Sequence, residues 1–157
     1  MADFSDSVHI AAPADTVYAM VSDLTRMGEW SPENIGARWL NPRRPAEGSG
    51  PRVGARFIGH NKAGVLRWST FGLVTVADPG REFAFEVAFG PMPVAYWQYL
   101  ISGADKHSCT VTEAWTDRRP GPLRPVLDAV FRANRLQLNT RGIHKTLANL
   151  KRAAESG

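Results

Sequence analysis

The sequence predicts an α+β fold in which a curved antiparallel sheet is closed over by one long C-terminal helix. Three observations carry this reading. Strand-like segments follow one another at Gly54–Asn61, Val65–Val76, Glu82–Phe89, Val94–Ser102 and Ser108–Thr116. They are joined by the turns Lys62-Ala63-Gly64, Asp78-Pro79-Gly80, Gly90-Pro91-Met92-Pro93 and Gly103-Ala104-Asp105-Lys106, which are short enough to link only antiparallel neighbours. Arg118-Arg119-Pro120-Gly121-Pro122 then breaks the sheet, and helical spacing runs from about Pro125 to Glu155. A sheet curled about a helix is a container, and its contents should be apolar.

The elements ahead of the meander read in order. Phe4 to Ile10 alternates as a half-buried strand, with Phe4, Val8 and Ile10 on one side. Ala12-Pro13 stops it. Pro13 suits a helix start, and Val17, Met20, Val21 and Leu24 follow at helical spacing. A second helical turn, Thr25 to Trp30, ends at Ser31-Pro32. Asn34 to Val53 is irregular and proline-rich, around one short strand at Ala37–Leu40. Its Gly48-x-Gly50-x-x-x-Gly54 approaches a dinucleotide fingerprint but lacks the preceding strand and following helix. No cofactor is expected.

The last helix has two apolar sides. Val126, Leu127, Val130, Phe131 and Leu138 share one, while Leu136, Ile143, Leu147 and Leu150 lie nearly opposite. Either the helix bends near Asn139–Gly142 or its halves bury different faces. A kink at Gly142 is the simpler expectation.

Composition bounds the function. A chain of 157 residues is expected to form one domain, residues 1–157. Its hydrophobic fraction of 43% excludes general disorder. Five tryptophans suit either a ligand cavity or ordinary core filling. The lone Cys109 excludes an internal disulfide, and its strand position predicts a buried, inert thiol. His9, His60, His107 and His144 show no ligand spacing, so no metal is expected. No Gly-x-Ser-x-Gly elbow supports a serine hydrolase. The N-terminus has no basic or apolar leader, and no stretch is long enough to span a bilayer, so a cytoplasmic protein without integral membrane association is expected.

The net charge of +4 is uneven. Asp3, Asp6, Asp15, Asp23, Glu29 and Glu33 dominate the first 33 residues, whereas Arg118 to Arg152 holds nine Lys or Arg against Asp128 alone. Without an RNA-binding or helix-turn-helix pattern, this stripe reads as a solvated helix face partly neutralised by the acidic N-terminal half. No nucleic-acid partner is expected.

The order β-α-α-β6-α is the helix-grip arrangement, and particular residues resemble a family. Val8-x-Ile10-x-Ala12-Pro13-Ala14-x-x-Val17-Tyr18-x-x-Val21-Ser22-Asp23-Leu24, with Met27-Gly28-Glu29-Trp30-Ser31-Pro32, resembles the opening of bacterial START/Bet v 1-like (SRPBCC) proteins, including the polyketide cyclase/dehydrase-like branch. Val53-Gly54-Ala55-Arg56-Phe57, Pro79-Gly80-Arg81-x-Phe83, Trp97-x-Tyr99 and Gly142-x-x-x-Thr146-Leu147-x-x-Leu150-Lys151-x-x-x-Glu155 extend the likeness over nearly the whole chain. These motifs mark strands, turns and helix packing rather than a shared catalytic group. The resemblance implies an apolar or amphipathic ligand held between sheet and helix, with catalysis in only some branches.

Period-2 alternation selects candidate cavity residues. Phe83, Phe85, Val87 and Phe89 share one face and should point inward, opposite Glu86. Ala55, Phe57, Gly59 and Asn61 share a face, as do Leu66, Trp68, Thr70, Gly72, Val74 and Val76, leaving Arg67 and Ser69 outside. Val94–Ser102 is apolar on both faces, so alternation does not choose between Tyr96 and Leu100 or Trp97, Tyr99 and Ile101. The family pattern favours Trp97 and Tyr99. Glu113 shares a face with Val111 and Trp115, opposite Thr110, Thr112 and Thr116. Facing inward, it would be a costly buried carboxyl with a raised pKa, suited to anchor a ligand or transfer a proton. Facing outward, it would simply be solvated.

Three functions follow. The first is a carrier or sequestering protein for one small hydrophobic or amphipathic molecule, walled by Phe57, Trp68, Phe83, Phe85, Trp97, Tyr99, Leu138 and Ile143 with Glu113. The second, which the resemblance implies, is a polyketide aromatase/cyclase working through Glu113, Tyr99 and Arg67 in the same cavity. The third is an interaction module forming a homodimer through the apolar surface of Val94–Ser102.

Overall fold

A computed structural model describes residues 1–40 and 51–157. Its strands are β1 (Phe4–Ile10), β2 (Asn34–Leu40), β3 (Arg56–Ala63), β4 (Leu66–Asp78), β5 (Glu82–Phe89), β6 (Met92–Gly103) and β7 (Cys109–Asp117). They form one antiparallel sheet in the order β1-β7-β6-β5-β4-β3-β2. The expected meander from β3 to β7 is present. The short strand expected at Ala37–Leu40 begins three residues earlier, and Gly48 and Gly50 of the discarded glycine pattern lie outside the described residues.

The N-terminal connection crosses from one sheet edge to the other through α1 (Ala14–Ser22) and a 3-10 helix, Leu24–Glu29. Pro13 precedes α1, whose Val17, Tyr18, Met20 and Val21 are buried. The Asp23 carboxylate accepts the Thr25 N–H at 3.2 Å and so starts the 3-10 turn. These two short helices are the expected α-α pair.

Bulges bend the sheet and alter which residues share a face, one of them between Asn34 and Gly36 where β2 pairs with β3. Val74 pairs with Phe85 but Val76 pairs with Ala84, so Thr75 is the extra residue. Val76 therefore does not share the inward face of Val74, and Ala77, opposite Phe83, takes the inward place. Another irregularity lies between Val87 and Ala88. Phe83, Phe85 and Val87 turn inward as expected. Phe89 lies at the strand end and is exposed rather than turned into the core.

The C-terminal segment departs most from expectation. It is two helices, α2 (Arg124–Val130) and α3 (Arg135–Glu155), and α3 passes through Gly142 unbroken. The break comes at Arg132, which adopts a left-handed φ of 49°, and at Asn134, whose side chain accepts the Gln137 N–H at 3.1 Å. The two opposed apolar sides thus belong largely to different helices. α2 buries no residue, and Val126, Val130, Phe131 and Leu136 are exposed.

α3 packs chiefly along β1 and more lightly on β7. Ile143, Leu147 and Leu150 are fully buried in that contact, each contributing roughly 1.5–3 kcal/mol. Polar bonds fix its position. Lys151 Nζ donates to the His9 carbonyl at 2.8 Å, the Ala11 N–H donates to Glu155 Oε1 at 2.9 Å, and Asn149 Nδ2 donates to the Trp30 carbonyl at 3.0 Å. The 34–40 and 56–117 strands are left to curve around the other side of α3.

Candidate functional site

That curvature leaves a cavity of about 440 Å³ between α3 and the concave face of the sheet. Phe57, Trp68, Phe85, Trp97 and Leu138 supply its apolar walls. Phe57 sits opposite Gly72, whose missing side chain makes room for the ring, and meets Phe85 edge-on at 5.4 Å. Trp97 and Trp115 are cross-strand partners with ring centroids 6.5 Å apart. Leu24 and Met27 of the 3-10 helix also line it, as does the Ser31–Asn34 segment.

Glu113 faces into this space. Val111, Glu113 and Trp115 are all buried, while the threonines of β7 turn to the outer face, half-covered. The Glu113 side chain is 3% exposed, and Tyr99, its direct partner on β6, donates its hydroxyl to Glu113 Oε1 at 2.9 Å. Met27 Sδ lies 3.8 Å from the same hydroxyl. Glu113 Oε2 is buried without a hydrogen-bond partner. Loss of water pushes the Glu113 carboxyl up to about 8, against the opposing hydrogen bond from Tyr99. Burial likewise drives the Tyr99 hydroxyl well above its ordinary value, with Glu113 adding to the shift. At neutral pH the pair is a phenol and a largely protonated carboxylic acid.

A second polar zone lies on the wall. Asn34 Nδ2 donates to Asn61 Oδ1 at 3.3 Å, and Asn61 Nδ2 donates to Thr70 Oγ1 at 3.4 Å. Asn61 and Thr70 both lie on strand faces that alternation directs inward. Asn34 carried no such signal, because its place beside Asn61 depends on the pairing of β2 with β3.

Of the residues singled out from sequence, Phe57, Trp68, Phe85, Trp97, Tyr99, Glu113 and Leu138 are brought together around the cavity. Phe83 and Ile143 are not. Phe83 does turn inward, but α1 covers that end of β5, and its ring packs edge-on to Tyr18 at 6.3 Å. Ile143 lies on the α3 face that packs against the core, away from the face carrying Leu138, Gly142 and Thr146. Arg67 is exposed outside the cavity on β4. Alternation gave no reason to find Leu24, Met27 or Arg119 among the lining residues.

The basic stripe divides into several settings. Arg119 is buried, bonding Asp117 through Nε at 3.0 Å and Nη2 at 2.8 Å, and Asp128 of α2 through Nη1 at 2.8 Å. Arg135 grips both oxygens of Glu33 at 2.9 and 2.8 Å and lies over the Trp68 ring. The acidic N-terminal half thus neutralises part of the stripe, as expected. Arg141 and Lys145 line the cavity rim.

The outer face of β6 carries Tyr96, covered by the Arg118 guanidinium at 5.5 Å, and a partly exposed Leu100. Burial raises the Cys109 thiol, in keeping with an inert position. His60 Nδ1 pairs with Ser69 Oγ at 2.9 Å on the exposed side. Among the described residues no helix is long and apolar enough to cross a membrane, and no His, Cys, Asp and Glu cluster is placed to hold a metal.

Comparison with known proteins agrees with this architecture. The polyketide cyclase-like protein Cgl2372 from Corynebacterium glutamicum is 34% identical, with 96% of this chain and 89% of that one covered at a TM-score of 0.62. A START superfamily protein from Mycobacterium smegmatis is 16% identical over 98% of this chain and 97% of its own, with a TM-score of 0.70, and supports the helix-grip fold. The di-domain aromatase/cyclase StfQ of the steffimycin biosynthetic pathway is 13% identical over 97% of this chain, with a TM-score of 0.68. This chain spans only 44% of StfQ. No curated protein matches the sequence significantly. The profile described as "Polyketide cyclase / dehydrase and lipid transport" matches residues 1–155, and the chain belongs to that family.

Proposed function

We propose that the protein binds one small hydrophobic or amphipathic molecule in the cavity between sheet and α3, carrying or sequestering it. The observation that supports this most is an apolar-walled space of about 440 Å³ with a single unpartnered carboxyl oxygen, Glu113 Oε2. Ligand sites have this character, with volumes of about 300–1,000 Å³ and a few placed polar groups. In this reading Phe57, Trp68, Phe85, Trp97 and Leu138 hold the apolar body. Glu113, steadied by Tyr99, donates a hydrogen bond to a carbonyl or hydroxyl oxygen.

Protein purified without detergent and compared by native and denaturing mass spectrometry tests this directly. A stoichiometric small molecule is expected, and adding it back to stripped protein should raise the melting temperature. Unchanged melting with every apolar ligand and cell extract tried would overturn the reading.

A second reading is supported by the protonation of Glu113. A polyketide aromatase/cyclase closes a ring by moving one proton off the attacking carbon and placing one on the attacked carbonyl oxygen. A carboxylic acid that titrates near 8 is suited to the second transfer. Under this reading Glu113→Gln abolishes turnover of a poly-carbonyl substrate while binding survives. Turnover that persists in that variant removes Glu113 from the role.

A further inference from the structure

The cavity rim carries charge that the fold does not use. Arg141 and Lys145 are four residues apart on α3, one turn from each other on the same face, and both line the cavity while remaining exposed. Like charges at this spacing weaken a helix. Neither makes an ion pair with any described residue. The nearby acid, Glu33, is already held by both contacts from Arg135. Gly142, next to Arg141 in the chain, also lines the cavity, and Pro32 lies across from it, 3.9 Å from where a Cβ would stand.

From the rim inward, the chemistry changes from cationic to apolar at Leu138, Phe57 and Trp97, and ends at the buried Glu113. We infer that the ligand is an anionic amphiphile, its carboxylate or phosphate head held at the rim by Arg141 and Lys145 and its apolar body inside. This rests on the reading of the cavity as a ligand site. Among the described lining residues a tail-first ligand meets no uncompensated negative charge, because Arg135 pairs with Glu33 and Glu113 is largely protonated at neutral pH. An anion at the rim relieves the repulsion between the two cations and gains charge-assisted hydrogen bonds from both.

The test uses the intact protein with a set of probes sharing one tail: dodecanoate, dodecyl phosphate and dodecanol, together with inorganic phosphate alone. Calorimetric titration at low salt should give Kd values about tenfold lower for the two anions than for dodecanol. The preference should shrink as salt is added. The double variant Arg141→Gln/Lys145→Gln should lose the preference and leave dodecanol binding unchanged. Both residues are exposed, so its melting temperature should stay close to that of the wild type, which separates loss of recognition from loss of fold.

Equal affinity for dodecanol and dodecanoate overturns the inference and leaves the cavity as an apolar-ligand site. So does a preference that survives in the double variant. Inorganic phosphate binding as tightly as dodecyl phosphate overturns it too, since the site would then be a plain anion site with no role for the tail. If none of the chained probes binds, the inference falls, and the reading beneath it falls with it only when melting is also unchanged by every apolar ligand and cell extract tried.

Discussion

Tyr99 and Glu113 face each other directly across β6 and β7, joined by a 2.9 Å hydrogen bond inside the cavity. The phenol satisfies one carboxyl oxygen and leaves the other unpartnered. Full hydration of a carboxylate is impossible there, so the proton stays on to about pH 8.

The pH dependence of stability follows from that shift. Glu113 titrates near 4.5 in an unfolded chain and near 8 in the native state, so between those values the native state keeps a proton that the unfolded chain has released. Stability from this group is complete below about 4.5, falls as pH rises through the window, and levels off above about 8. Glu113→Gln removes this dependence. Urea unfolding of both proteins at about pH 5 and about pH 9 should show the variant gaining on the wild type by a few kcal/mol at the alkaline end, the order of magnitude of such a shift. Parallel pH profiles would contradict the burial of the carboxyl.

Gly72→Ala tests the seat of Phe57. A Cβ built on Gly72 falls within the Phe57 ring. Alanine in a strand is ordinarily preferred to glycine, so the sign is informative. The ring must tilt into the cavity, and a loss of about 1–3 kcal/mol is expected from such overpacking. Unfolding midpoints measure the cost, and tightened or lost ligand space should appear as weaker binding.

Arg119 joins β7 to α2. The buried Asp117 carboxyl is pushed up by burial and pulled down further by its bonds to Arg119, and ends below its ordinary value. Arg119→Met leaves that carboxylate only the 3.6 Å contact with Arg124 and the backbone N–H of residue 119, and should cost up to about 3 kcal/mol. Asp128→Ala breaks only the partly exposed contact and should cost less, while amide exchange in residues 124–130 quickens. Slow, unaltered exchange in α2 would show that something other than this ion pair holds it.

The helix break supplies a pair of changes with opposite signs. Asn134→Ala removes the side chain that caps α3 and should destabilise by about 1 kcal/mol. Arg132→Gly relieves a left-handed residue and should stabilise by up to about 1 kcal/mol. Two thermal melts decide both.

Trp68 and Phe83 separate wall from core. Trp68 is half-buried at the cavity beside Arg135, whereas Phe83 is wholly buried beneath α1. Phe83→Ala should cost roughly 3–5 kcal/mol. Trp68→Ala should cost clearly less and weaken ligand binding. A Trp68 variant that binds as well as the wild type would remove that residue from the ligand wall.

The amino-acid sequence by itself determined the antiparallel meander, the helices that precede it and the inward faces of β3 and β5. Short turns and period-2 alternation are local properties, and they identified Phe57, Trp68 up to its bulge, and Phe85 without reference to the rest of the chain. Whether an inward side chain meets a cavity or the core was decided by what lies across from it. Phe83 and Phe85 share one strand face, yet α1 covers only the first. Thr75 reversed the alternation beyond it, because a bulge depends on the partner strand.

Tertiary structure alone decided that Glu113 points inward. Val111 and Trp115 offer more apolar area to bury than the threonines opposite, and their burial carries the carboxyl with them. It also placed the break at Arg132 and Asn134 rather than Gly142. Helical spacing records which positions are apolar but not which partner buries each one, and among the described residues α2 leaves Val126 and Val130 exposed and Leu127 half-buried.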